Sequence, residues 1–212
     1  MSIPYFKSLV KKKEFIYFLG FLWADGYISK STNSIEINIV KNDFDIIAPV
    51  ISRHIEWNIF HKQRKNHGNP YGKPQIKAQK SLPELKSFLI EHNYGNKSGG
   101  SPSNILFIIP SELQHYWWRG YFDGDGSLAI SKNGCKNLSF WSVINQDWSE
   151  LSSLMTSLGI YFSIYSYQRS CGKSSSLTTT NKNNIIKFGK YIYPNFQYTF
   201  GLKRKFDKFL QL

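Results

Sequence analysis

The chain is short of acid, of cysteine and of long apolar runs. Its 212 residues carry 14 Asp and Glu against 27 Lys and Arg, a formal net charge of +13. Two cysteines, Cys135 and Cys171, are too few for a disulfide framework or a four-cysteine zinc set. Free thiols and an intracellular, reducing compartment are therefore expected. No apolar run approaches the roughly 20 residues of a membrane span, so no membrane partner is expected. The opening "MSIPYFKSLVKKKEF" lacks the apolar core of a secretory signal. A basic excess of this size points to a polyanion, most often nucleic acid. It is shared along the chain: residues 1–106 hold 15 basic and 8 acidic groups, and residues 107–212 hold 12 and 6. A continuous groove would need both halves to contribute.

What is present is a repeat. The stretch "RGYFDGDGSLAI" (Arg119–Ile130) sets Asp123 and Asp125 among glycines at the end of an aromatic run. Asp and Gly are poor helix residues, and a carboxylate at a helix C-terminus faces the negative end of the macrodipole. One hundred positions earlier the chain reads "LGFLWADGYIS". Gly20 matches Gly120, Ala24 matches Gly124, Asp25 matches Asp125 and Gly26 matches Gly126, while Trp23 stands where Asp123 does. A repeat of this kind organises the whole reading. The repeated carboxylate is the one that needs a purpose.

Around the repeat, periodicity gives a helix from Lys12 to Asp25, stopped by Gly26. The alternating "SIEINIVK" follows as a half-buried strand. Asn42 or Asp43 would cap a helix that Pro49 can kink, and strands are expected near 59–65 and 74–80. Ser81 would cap the next helix, and "YGNKSGGSPSN" reads as a linker. In the second half, Ser111 and Gln114 read as a capping box opening a helix to Asp125. A strand near 137–145, a helix in "QDWSELSSLMTSLG", strands near 161–169 and 175–180, and a helix near 182–191 follow. "LKRKFDKFLQL" is a last basic helix. Each half thus reads αββαββα, with residues 1–94 and 109–212 as the halves and 95–108 between them.

Gly20-x-x-x-Ala24 and Gly120-x-x-x-Gly124 put small residues one turn apart, which lets two helix backbones approach closely. Packed together, the helices would bring Asp25 and Asp125 side by side. Paired carboxylates repel unless one is protonated or a cation lies between them. Hard oxygen ligands with open positions suit Mg²⁺, with Mn²⁺ as a substitute, and suit phosphodiester hydrolysis.

"FLGFLWADG" (Phe18–Gly26) and "WRGYFDGDG" (Trp118–Gly126) resemble the two motifs of the LAGLIDADG homing endonucleases. The likeness, which extends to the flanking element order, is to the monomeric branch with two motifs in one chain. It implies an α+β fold of two pseudo-symmetric αββαββα halves forming a saddle, motif helices at its centre and antiparallel sheets facing DNA. It implies site-specific cleavage of double-stranded DNA with divalent metal, over a long asymmetric target read in the major groove. Asp25 and Asp125 would then bind metal and serve catalysis, with the carbonyls of Ala24 and Gly124 as further ligands. Lys41 and Asn145 or Gln146 match the family's polar residue at the end of the second strand, and Lys97 and Lys203 its lysine after each half's last helix. Their role would be charge stabilisation or water positioning. Groove contacts are expected from Glu36, Asn38, Arg64, Gln75, Lys77, Gln79, Gln168 and Arg169.

Two rivals remain at this level. A relative of the same fold can bind intron RNA as a maturase, or bind DNA as a regulator, without cutting; the intact Asp25 and Asp125 favour the nuclease. A basic single-strand binder would need aromatics on exposed strand faces, whereas most aromatics here fall on apolar helical spacing. The richness in Lys, Asn and Ile suits an AT-rich genome, of an organelle or a phage-infected bacterium.

Overall fold

The structure, a computed structural model, describes residues 2–62, 74–169 and 172–212, with the backbone alone at Arg169. A short helix α1 (Ile3–Leu9) leads into α2 (Lys13–Asp25), which passes directly into β1 (Gly26–Ile28). Then come β2 (Ser34–Val40), α3 (Lys41–Ile51), β3 (Asn58–Lys62), β4 (Gln75–Ser81) and α4 (Pro83–Glu91). A short α5 (Ser103–Ile108) precedes α6 (Gln114–Asp125), which again runs straight into a strand, β5 (Gly126–Ile130). The order then repeats with β6 (Lys136–Val143), α7 (Ser149–Ser157), β7 (Ser163–Arg169), β8 (Gly172–Thr179) and α8 (Lys182–Ile192). The chain closes with α9 (Lys203–Leu210). Among the described residues no helix is long and apolar enough to cross a membrane.

The described residues form two antiparallel four-stranded sheets, ordered β1-β2-β4-β3 and β5-β6-β8-β7. The fold is α+β, with the expected αββαββα order in each repeat. Strand alternation sets the layers. Ile35, Ile37, Ile39, Ile76 and Ala78 are buried on the inner face of the first sheet; Leu128, Leu138, Phe140 and Leu177 are buried in the second. Helix α2 is buried continuously from Phe15 to Trp23. A helix apolar all round is one packed on every side, and α2 lies between its own sheet and α6.

The helix starts differ from expectation. Neither Asn42 nor Asp43 caps α3: the helix begins at Lys41, directly out of β2, with Val40 at the cap position. Ser81 is the last residue of β4; Leu82 precedes α4 and Pro83 supplies its first turn. Ser111 opens a separate 3₁₀ turn, and Gln114 donates instead to the carbonyls of Leu106 and Ile109. In each case the chain enters the helix from a neighbouring element or a proline, which sets the entry dihedrals without a side-chain cap. Asn181 does cap α8, accepting from the N–H groups of Asn183 and Asn184. Pro49 falls in the last turn of α3, two residues before its end. The stretch between the halves is not uniformly irregular, since it contains the 3₁₀ turn Tyr94–Asn96 and α5.

Candidate active site at the paired helix ends

Helices α2 and α6 pack backbone to backbone. A Cβ at Gly20 would collide with the Trp117 carbonyl oxygen, and one at Gly120 with that of Tyr17. A Cβ at Gly124 would run into Ala24 and stand 3.3 Å from Asp25 Oδ2. The small residues are thus required by contact between the helices. The glycines after each carboxylate serve space as well. Gly26 and Gly126 are extended (φ −79°, ψ 156° and φ −79°, ψ 153°), so neither provides a left-handed stop. Their missing Cβ leaves room for Leu22 and Phe122 as helix turns into strand.

The crossing brings Asp25 and Asp125 together. Asp125 is pushed up to about 7, first by burial and then by the charge of Asp25. Asp25 keeps a solvent-facing side, yet the protein packed behind it raises its carboxyl too, again chiefly by burial. Among the described residues neither carboxylate receives a hydrogen bond.

A lysine grips the end of each motif helix, and both lysines lie near enough to oppose the upward shift of both carboxyls. Lys97 Nζ donates to the carbonyls of Leu22 (3.0 Å), Ala24 (3.2 Å) and Gly26 (2.5 Å). Lys205 Nζ donates to those of Phe122 (2.8 Å), Asp123 (2.7 Å), Gly124 (3.5 Å) and Gly126 (2.6 Å). The acceptors at 22, 24 and 26 recur at 122, 124 and 126, so the two lysines are pseudo-symmetric. Burial lowers both to about 8, opposed by Asp125 and Asp25 at Lys97 and first by Asp123 at Lys205. Ammonium groups here complement the carbonyl-rich ends of the two motif helices.

Lys205 is the residue that spacing alone missed. The expected residue, Lys203, is exposed and paired with Asp207 at 2.5 Å. Position 203 begins α9, and two residues further round the helix the side chain turns inward. Leu202, Lys205, Phe206 and Phe209 are all buried. A lysine on the apolar face of a basic helix was the available clue.

The other expected residues divide. Glu36, Asn38, Gln75, Lys77 and Gln79 share the outer face of the first sheet. There Lys77 pairs with Glu36 at 2.6 Å, and Lys62 donates to Asn38 at 3.3 Å. Gln168 is exposed but does not share a face with Arg169: its register places it with Lys173 and Leu177, on the other face of the sheet from Tyr165 and Tyr167. Arg64 and the side chain of Arg169 lie outside the described residues. Lys41 is exposed and paired with Asp45 at 2.8 Å. Gln146 is held locally, accepting from Ser142 and donating to the Asp147 carbonyl, while Asn145 is exposed. The outer face of the second sheet carries Ser139, Trp141, Val143, Tyr165, Tyr167, Ser174, Ser176 and Thr178. Trp141 packs on Tyr167 with ring centroids 5.0 Å apart. These exposed-face aromatics were not anticipated.

A family model described as LAGLIDADG-like domain matches residues 112–193. Across the whole chain, the fold is similar to that of the I-LtrWI LAGLIDADG homing endonuclease bound to target DNA. That likeness has a TM-score of 0.59 at 14% identity, covering 99% of this chain and 90% of that one. Residues 112–193 thus match a LAGLIDADG-like domain, and the whole chain shares the fold of a LAGLIDADG homing endonuclease. The chain is also similar in fold to the LAGLIDADG homing endonuclease I-GzeII in complex with its DNA target. There the TM-score is 0.56 at 14% identity, covering 92% and 88% of the two chains. By sequence it is 27% identical over 219 residues to a probable translation initiation factor IF-2 of Methanocaldococcus jannaschii, covering 96% of this chain. It is 23% identical over 180 residues to the IF-2 of Thermococcus kodakarensis, covering 84% of this chain. The chain spans 17% and 14% of the length of those relatives, so their name describes far more protein than is shared.

Proposed function

We propose that this chain is a site-specific double-strand DNA endonuclease that uses a divalent metal ion, Mg²⁺ by its ligand chemistry, with Mn²⁺ as a substitute. The observation that carries the reading is the pair of carboxylates at the touching ends of α2 and α6, with the half-buried Lys97 and the buried Lys205 gripping the carbonyls of those same ends. The fit to a cation rests on the donor set: the carboxylates of Asp25 and Asp125 offer hard oxygens, are held close enough for the charge of Asp25 to raise Asp125, and among the described residues receive no hydrogen bond. Among the described residues no three His, Cys, Asp or Glu side chains cluster. The carbonyls of Ala24 and Gly124, water and a substrate phosphate would complete the ligands. A bound divalent ion would supply Lewis-acid charge and a water of lowered pKa.

The chain's own residues do the rest. Asp25 and Asp125 would hold the cation and set its place. Lys97 and Lys205 put positive charge beside the phosphate where negative charge develops, preorganised by the helix-end carbonyls they already grip. The net charge of +13 attracts the duplex. The outer face of the first sheet presents Lys, Glu, Gln and Asn groups of the kind that read base edges, with Glu36, Asn38, Gln75, Lys77 and Gln79 as contacts. The DNA-bound state of the two endonucleases of similar fold supports the same substrate. One chain supplies both repeats, which suits a monomer.

The test is cleavage of a randomised duplex library in Mg²⁺, with the ends sequenced. One recurrent site cut on both strands is expected. Asp125→Asn is expected to slow cleavage by about 10³-fold or more while leaving binding within a few-fold. Wild-type binding without cutting in either Mg²⁺ or Mn²⁺ would overturn the endonuclease reading.

A further inference from the structure

The motif position two residues before each carboxylate breaks the repeat, with Trp23 in the first half and Asp123 in the second. Asp123 is 2% exposed. Its Oδ2 accepts from the Tyr17 hydroxyl and from the Leu202 N–H, both at 2.8 Å. The approach is close because residue 201 is glycine: at φ +108°, a Cβ there would press 2.6 Å from the Asp123 carboxylate. One turn up, the buried Arg119 donates through Nε to the Ile192 carbonyl (2.7 Å) and through Nη1 to Thr199 Oγ1 (2.8 Å). Residues 192–202 are therefore pinned to α6 at three points, and α9 starts at the last of them.

Leu202, the residue Asp123 holds, lies three positions before Lys205. In the first half Trp23 meets Tyr94 edge-on, with centroids 4.9 Å apart, and Tyr94 lies three positions before Lys97. Tyr94 is itself fixed by donating to the Leu19 carbonyl at 2.9 Å and accepting from Trp117 Nε1 at 3.2 Å. The two halves thus share a geometric relation and differ in its chemistry. An aromatic edge grips the lysine segment in one, and a carboxylate grips a backbone N–H in the other.

We propose that Asp123 and Trp23 are positioning residues, each aiming its own half's lysine, so that each governs cleavage of one DNA strand. The proposal rests on the endonuclease reading above. The two strands of a duplex run in opposite directions, and a molecule with two pseudo-symmetric lysine and carboxylate sets presents one set to each. Asp123 touches no substrate in this scheme. It acts through Leu202 and α9 on where the Lys205 ammonium sits.

The experiment uses the full chain and a duplex recovered from wild-type cleavage of a randomised library, end-labelled on each strand in turn. Asp123→Ala is expected to slow one strand by about tenfold and the other by less than about threefold, so that nicked duplex accumulates. Lys205→Met should slow the same strand, and the double variant should be no slower there than Lys205→Met alone. Asp123→Asn keeps an oxygen for the Leu202 N–H and should restore the rate to within about threefold. Trp23→Ala should slow the strand that Lys97→Met slows. If Asp123→Ala fails to fold, Leu202→Pro removes the donor from the other side at a φ of −78° that proline accepts, and should give the same strand bias. Equal slowing of both strands, or additive effects with Lys205→Met, would overturn the proposal while leaving the endonuclease reading intact. A wild-type chain that cuts nothing would remove both.

Discussion

Asp125, Lys97 and Lys205 give the site a pH signature. Asp125 is raised from 3.8 to about 7, so the folded state holds its proton more tightly than the unfolded state does. Its contribution to stability falls as pH rises from about 4 to about 7 and is constant above that. The lysines are lowered from 10.5 to about 8, so the folded state resists their charge, and that cost fades as pH rises from about 8 to 10.5. Together these groups destabilise the metal-free protein most between pH 7 and 8. Thermal melts in EDTA should show a shallow minimum there. Added Mg²⁺ should raise Tm by several degrees at pH 8, about 1–3 kcal/mol of linkage, and by much less at pH 5. Asp125→Asn should raise the metal-free Tm at pH 8 and abolish the Mg²⁺ response. An equal Mg²⁺ effect at both pH values would contradict this account. Asp25 and Asp125 were legible in the sequence because they recur at a fixed offset in matching surroundings. Lys205 was not, because its meaning depends on which way an eight-residue helix is turned. Gln168 shows the same limit in a strand, where a single step in register exchanges one face for the other.

At the scale of elements, the α2–α6 seam is the most constrained contact. Gly20→Ala and Gly120→Ala would each drive a methyl into a backbone carbonyl of the facing helix. Backbone cannot rotate away as a side chain can, so each change is expected to cost about 3 kcal/mol or more. Chemical denaturation would read the loss directly, and a cost below about 1 kcal/mol would mean the helices separate easily. The Gly-x-x-x-small spacing announced this seam from sequence alone. Element order was equally legible, since alternation and helical periodicity are local properties. Helix starts were not. Ser81, Ser111 and Asn42 have the chemistry of caps, but the chain reaches those helices straight from β4, from a 3₁₀ turn and from β2. Asn181, which follows a strand after a brief break, does cap its helix.

For the whole molecule, the two sheets present unlike outer faces. Glu36, Lys62 and Lys77 stand on the first, beside the rings of Tyr27 and Phe60. Among the described side chains, the second offers hydroxyls, Asn137, Val143 and the rings of Trp141, Tyr165 and Tyr167. Binding through the first should be salt-sensitive and binding through the second much less so. Lys62→Ala is expected to reduce the slope of log Kd against log salt by about 1, whereas Tyr165→Ala should weaken binding with the slope unchanged. Isotherms at several salt concentrations separate the two, and a changed slope for Tyr165→Ala would count against the division. A repeat in the sequence suggests symmetry, and the fold keeps it, but the surfaces do not. The molecule therefore has a heading. As the endonuclease proposed above, it would lie along a given target in one direction only, and an inverted-repeat sequence built from either half of that target would offer one end of the protein the wrong partner.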